Sequence, residues 1–186
     1  MNPSPPKARP RLREPEVVAV AARHLESSGY RVYVDVDGTD YFDLVARKGT
    51  EVGLVEAKVG DRKSVLAQAL KRRVWGSWSA VVLASRISAE RLAAATACGR
   101  AAPLGVWTVE GDRVQVVRPA RDWVAPGGDD PYRALRERFL LVLDQVDRGE
   151  LPAGIPWDGL PGEIRRASGG RGFAEWRLDE PAAESD

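Results

Sequence analysis

Asp43, Glu56 and Lys58 interrupt two short apolar runs, residues 42–46 and 52–59, and are the side chains in this chain best placed to do chemistry. A charged stretch containing Gly49 separates the runs, so the pattern predicts a β-hairpin closing at about residues 48–50. Residues two apart on a strand share a face, so Glu56 and Lys58 project together. Asp43 lies on the partner strand, within reach of the same spot. Charges inside apolar strands are costly unless they are paired or hold a metal. Two converging carboxylates form a hard, oxygen-rich site suited to Mg²⁺ or Mn²⁺. Such a cation lowers the pKa of a water and offsets charge on a phosphodiester. The lysine adds a cation that could orient the attacking water or stabilise the pentavalent charge. Without a metal, the same three groups could form a structural ion pair.

Composition narrows the chemistry further. The chain has 186 residues, 44% hydrophobic and 30% charged, which suits one soluble domain with an appendage. The net charge of +1 is neutral on the question of nucleic acid, but residues 7–13 and 62–73 are locally basic. A single cysteine excludes an internal disulfide framework and fits a reducing compartment. The single histidine, His24, leaves little room for a zinc site or a His-dependent triad. No run approaches the roughly 18 apolar residues of a membrane helix, and the first residues lack a signal-peptide core. The expected location is cytoplasmic, with no membrane partner.

The remaining elements must position the hairpin. Residues 1–13 hold four prolines and four basic residues and read as a flexible basic arm. Residues 14–28 read as a helix, with Pro15 in the first turn, a stripe of Val18, Ala21, Ala22 and Leu25, and Gly29 as its C-terminal cap. Residues 31–36 alternate with period two and predict a strand, turning at residues 37–40 into the hairpin. Residues 62–75 have helical spacing, and residues 78–84 form a continuous apolar run typical of a strand buried on both faces. Ser88 is expected to cap a helix over about residues 89–98, with Cys98 buried. Residues 104–109 and 113–117 flank a glycine turn and predict a second hairpin. Trp75 and Trp78 are expected to cap the core.

This order predicts an α/β fold with a mixed sheet flanked by helices, antiparallel at first and parallel at the helical crossovers. Residues 14–125 form that domain. Residues 126–178 follow as a C-terminal helical, loop-rich extension or small subdomain, its helix over 131–148, and residues 179–186 as a disordered tail.

Asp43 followed by Glu56-Ala57-Lys58 resembles the D…ExK signature of the PD-(D/E)XK nuclease superfamily, with Phe42 where that signature has proline. The order of elements over residues 14–86 is similar to the superfamily's restriction-endonuclease-like αβββαβ core. Within it, the stretch looks most like VRR-type and Holliday-junction-resolvase-like nucleases. The resemblance implies a Mg²⁺- or Mn²⁺-dependent DNA endonuclease in repair, recombination or defence. It implies a metal held by Asp43, Glu56 and the Ala57 carbonyl, Lys58 near the attacking water, and Gln68 as a positioning residue. It also implies an acidic residue of the first helix as an outer ligand. Glu16 takes that place by analogy, whereas helical phase puts Glu14 on the buried stripe. Lys71, Arg72 and Arg73 are candidate phosphate contacts. A homodimer, or a protein partner bound through the C-terminal extension, is compatible with this reading. The alternative is an inactive nuclease-fold module that binds nucleic acid or protein.

Overall fold

The computed structural model describes residues 12–34, 42–60, 62–124 and 128–150. The expected arm before residue 12, the turn at 37–40 and the chain beyond 150 lie outside these residues.

Helix α1, Glu14–Ser27, opens with Pro15 in its first turn, and Gly29 follows its end at φ 84°. Its buried side chains are Val17, Val20, Ala21 and Leu25, with Val18 and Ala22 only partly buried. The stripe is therefore rotated from the expected one. Residues 17–22 are apolar without a break, so helical spacing admits both phases and the sheet beneath selects one. Strands β1, Arg31–Val34, β2, Leu44–Lys48, and β3, Glu51–Lys58, form an antiparallel meander. Gly49, at φ 63°, makes the expected turn between the last two.

Helix α2, Arg62–Arg72, continues as a 3₁₀ turn over Arg73–Trp75 and leads into β4, Trp78–Leu83, which is buried throughout. Helix α3 spans Arg86–Ala95. Its cap is Ser85, whose Oγ accepts from the Ser88 N–H at 3.4 Å, so the helix starts three residues before the expected place. Both serines suit a cap. The strand ends at Leu83, which leaves Ser85 at the helix entrance. Strands β5, Gly105–Glu110, and β6, Arg113–Arg118, form the second hairpin, and helix α4 covers Arg133–Asp147.

The six strands lie in the order β1-β2-β3-β4-β5-β6, parallel across β3-β4-β5 and antiparallel elsewhere. Odd residues of β3, Val55 and Ala57, face α1 together with Ala80, Val82 and Trp107. Even residues Val52 and Leu54 face α4, where Phe139 and Leu143 are fully buried. Val81, Leu83 and Val106 continue that second face under α2 and α3. Helix α4 therefore covers part of the sheet. The Asp147 carboxylate accepts from the Tyr33 hydroxyl at 2.8 Å and pairs with Arg47 at 3.2 Å, while Asp144 takes Arg47 at 2.6 Å. Trp75 and Trp78 are buried as expected, and a Cβ at Gly53 would overlap the Trp78 indole. Cys98 is exposed rather than buried, because α3 ends before it. Among the described residues, no helix is long and apolar enough to cross a membrane.

One arginine ties the β6 edge to α3. The Arg118 guanidinium donates to the carbonyls of Leu104, Ala93, Thr96 and Ala101 at 2.8–3.3 Å and to Thr96 Oγ1 at 2.7 Å. Arg118→Ala leaves those acceptors without their donor and should cost about 3 kcal/mol in urea unfolding. Arg118→Lys should recover less than half, because an ammonium cannot reproduce the planar fork.

Candidate functional site

Leu44 faces Val55 in the β2–β3 ladder, so Asp43, one residue earlier, falls across from Glu56. Asp43 Oδ2 accepts the Ala57 N–H at 2.5 Å. That bond replaces the strand partner that β2 no longer supplies. Burial raises the Asp43 carboxyl above its usual range, and the Glu14 charge adds to this; the Ala57 N–H, Lys58 and Arg72 oppose it.

Glu56 is only 1% exposed. Its Oε2 pairs with Arg72 Nη1 at 2.6 Å, and its Oε1 has no hydrogen-bond partner among the described residues. Burial pushes this carboxyl up to about 7, with Arg72 pulling it down and Asp43 pushing it further up. Lys58 Nζ meets Glu14 Oε1 at 2.6 Å. Burial works against the lysine's charge, but Glu14, Asp43 and Glu56 outweigh it and raise its pKa. Lys58 is therefore an ammonium at neutral pH, a fixed cation and not a base.

The acidic residue of α1 that reaches the strand end is Glu14. The Glu16 carboxylate closes the first turn instead, accepting from the Arg13 N–H at 2.7 Å and pairing with the Arg13 guanidinium. Residues two positions apart on a helix are about 200° apart around its axis, so Glu14 and Glu16 cannot both face the sheet. The basic triplet separates for the same reason. Lys71 is exposed and Arg72 is buried on Glu56, while Arg73 stacks over the Trp123 ring at 5.2 Å. Gln68 is half-buried one turn before Arg72 on the same face of α2, its Oε1 buried without a hydrogen-bond partner among the described residues. It makes no hydrogen bond to Asp43, Glu56 or Lys58.

The structure thus brings together Asp43, Glu56, Ala57, Lys58, Glu14 and Arg72. Sequence reasoning missed the inward role of Arg72. A signal was present, because Arg72 continues the buried stripe of Val65 and Ala69 at helical spacing. No group of three or more His, Cys, Asp or Glu side chains among the described residues is gathered to hold a metal. The fit to a divalent cation rests on two opposed carboxylates and the unpartnered Glu56 Oε1. The Asp43 Oδ2 and Glu56 Oε2 atoms are already engaged.

No family model, no curated protein and no solved structure matches the chain. The fold and this cluster define an α/β protein with a mixed six-stranded sheet and buried charges at one strand end.

Proposed function

We propose that the chain is a metal-dependent DNA endonuclease of the PD-(D/E)XK type. The observation that carries this reading is Asp43 opposed to Glu56 at the end of the β2–β3 hairpin, with Lys58 two residues on. The order α1-β1-β2-β3-α2-β4 supports it, being the αβββαβ order that the signature's superfamily implies. Asp43 and Glu56 would hold Mg²⁺ or Mn²⁺ through their carboxylates. The Ala57 carbonyl lies on the same strand edge as its N–H, towards Asp43, since Val52 and Lys58 turn their carbonyls to the β4 side. A cation held there would supply Lewis-acid chemistry, activating a water and offsetting phosphodiester charge. Lys58 holds a positive charge beside the reacting phosphate, and Glu14 fixes its position. Lys71 is the member of the basic triplet turned outward to meet a DNA backbone.

The second reading, a module that binds without cutting, is favoured by one observation. Glu56 and Lys58 are both already engaged in ion pairs at 2.6 Å. Incubation with linear, nicked, branched and single-stranded DNA in Mg²⁺ or Mn²⁺ decides between them. Cleavage is the expected result, and no metal-dependent cleavage of any substrate would favour the module. Independently of activity, Asp43→Asn should weaken Mn²⁺ binding in calorimetry by about tenfold or more; unchanged binding would mean that these carboxylates do not hold the ion.

A further inference from the structure

A second group of functional side chains lies at the opposite end of β3. Glu51 opens that strand and Lys58 closes it, a separation of roughly 23 Å at the usual rise per residue. Here a cleft of about 520 Å³ opens between the end of α1 and the edge hairpin, walled by His24, Tyr30, Trp78 and Trp107. The rings form a chain of contacts. His24 meets Trp107 edge-on at 5.6 Å, Trp107 meets Trp78 at 6.1 Å, and Tyr30 meets Trp78 edge-on at 5.7 Å.

Glu51 is held in one orientation by this wall. The Tyr30 hydroxyl and the Trp78 indole N–H both donate to its Oε1, each at 2.6 Å. Among the described residues its Oε2 takes no hydrogen bond. Asp122 and Arg121 also line the cleft. The lining therefore carries two carboxylates against one guanidinium, with the Lys48 ammonium over the Tyr30 ring at 5.5 Å. The cleft thus combines aromatic rings, a pre-oriented carboxylate, a second carboxylate and one guanidinium donor. Aromatic faces and carboxylates select a cation, and the planar fork of a guanidinium suits this pairing better than an ammonium.

We propose that this cleft binds an arginine-type ligand, its guanidinium against Glu51 and Asp122 beside the rings, and its carboxylate or carbonyl towards Arg121. Free arginine and an arginyl peptide share this chemistry. The site does not depend on the nuclease reading.

Calorimetry on the full chain with L-arginine, the peptide acetyl-Gly-Arg-Gly-amide and L-citrulline tests it. Citrulline has nearly the same shape without the charge. Saturable binding of arginine or of the peptide, at least tenfold tighter than citrulline, is expected, and which of the two binds tighter identifies the source. Glu51→Gln keeps an acceptor for Tyr30 and Trp78 while removing the charge, so it should fold with an unchanged unfolding midpoint and bind at least tenfold more weakly. Asp122→Asn, on the exposed rim, should weaken binding by a smaller factor. Absence of saturable binding by both arginine ligands would overturn the proposal, as would equal binding of citrulline or unchanged binding by the folded Glu51→Gln protein.

Discussion

Lys58→Ala should lower metal-dependent DNA cleavage by roughly 10²–10³-fold, the usual cost of removing one charge-stabilising group, while leaving the fold intact. The two effects separate because of where the lysine stands. Its side chain is 22% exposed and its partner Glu14 is 38% exposed, so the ion pair sits near solvent. Such a pair contributes about 0–1 kcal/mol to stability. The Lys58 charge nevertheless lies beside Asp43 and Glu56, both of which act on it. Removing it takes away a positive charge that acts on both carboxylates and changes little of the core. Glu16→Gln is the matched control. Its carboxylate is committed to Arg13, so cleavage should not change. Equal cleavage by Lys58→Ala and the parent protein would remove the basis for a catalytic role.

Arg72→Met should cost about 3–5 kcal/mol at pH 9, the usual penalty for stripping one partner from a buried pair. Glu56, 1% exposed, would then hold its charge with only the weaker attraction of Lys58 against it. The loss should depend on pH in a defined direction. In the parent protein the Glu56 carboxyl sits at about 7, above its ordinary 4.5, with burial as the main cause. Its folded form binds the proton more readily than the unfolded chain, so this group disfavours the fold increasingly as pH rises from 4.5 to 7. Arg72 is the largest opposing influence, and its removal raises the carboxyl further. The charge part of the mutational loss is therefore complete only above the variant's higher pKa. It should fade as pH falls below about 7, where Glu56 is protonated in both proteins. Urea unfolding at pH 6 and pH 9 reads this difference directly. An equal loss at both would mean that Arg72 acts through contacts other than the Glu56 charge, for instance its guanidinium over the Phe42 ring at 5.7 Å. The double change Glu56→Gln with Arg72→Met should restore much of the stability at pH 9, since no unpaired charge remains.

How far the site could be read in advance differed from residue to residue. Asp43, Glu56 and Lys58 stood out because each breaks an apolar run, and burial makes such breaks costly. Helical phase favoured Glu14 over the Glu16 that analogy gave, but it did not fix the rotation of the buried stripe. Residues 17–22 of helix α1 are apolar without a break, and only its packing on Val55 and Ala57 selects the phase that sends Glu14 to Lys58. Arg72 read as part of a basic triplet, although its place on the Val65–Ala69 stripe pointed inward. Its partner lies sixteen residues earlier on another element, which no local pattern encodes. The aromatic cleft had still less signal. Tyr30, Glu51, Trp78 and Trp107 come from four separate parts of the chain and share no motif.

The strand-and-helix order, both hairpin turns and the change from antiparallel to parallel pairing were determined by the sequence alone. Alternation with period two, helical spacing and glycine at positive φ act over a few residues and leave a local trace. Tertiary structure decided which charge meets which. Pairing of Glu56 with Arg72 and of Lys58 with Glu14 depends on the rotation of two helices on a twisted sheet. That rotation minimises the apolar surface left in water over the whole core, a sum to which every layer contributes. The same packing turned the expected cluster of three charges into five linked ones at the end of β3.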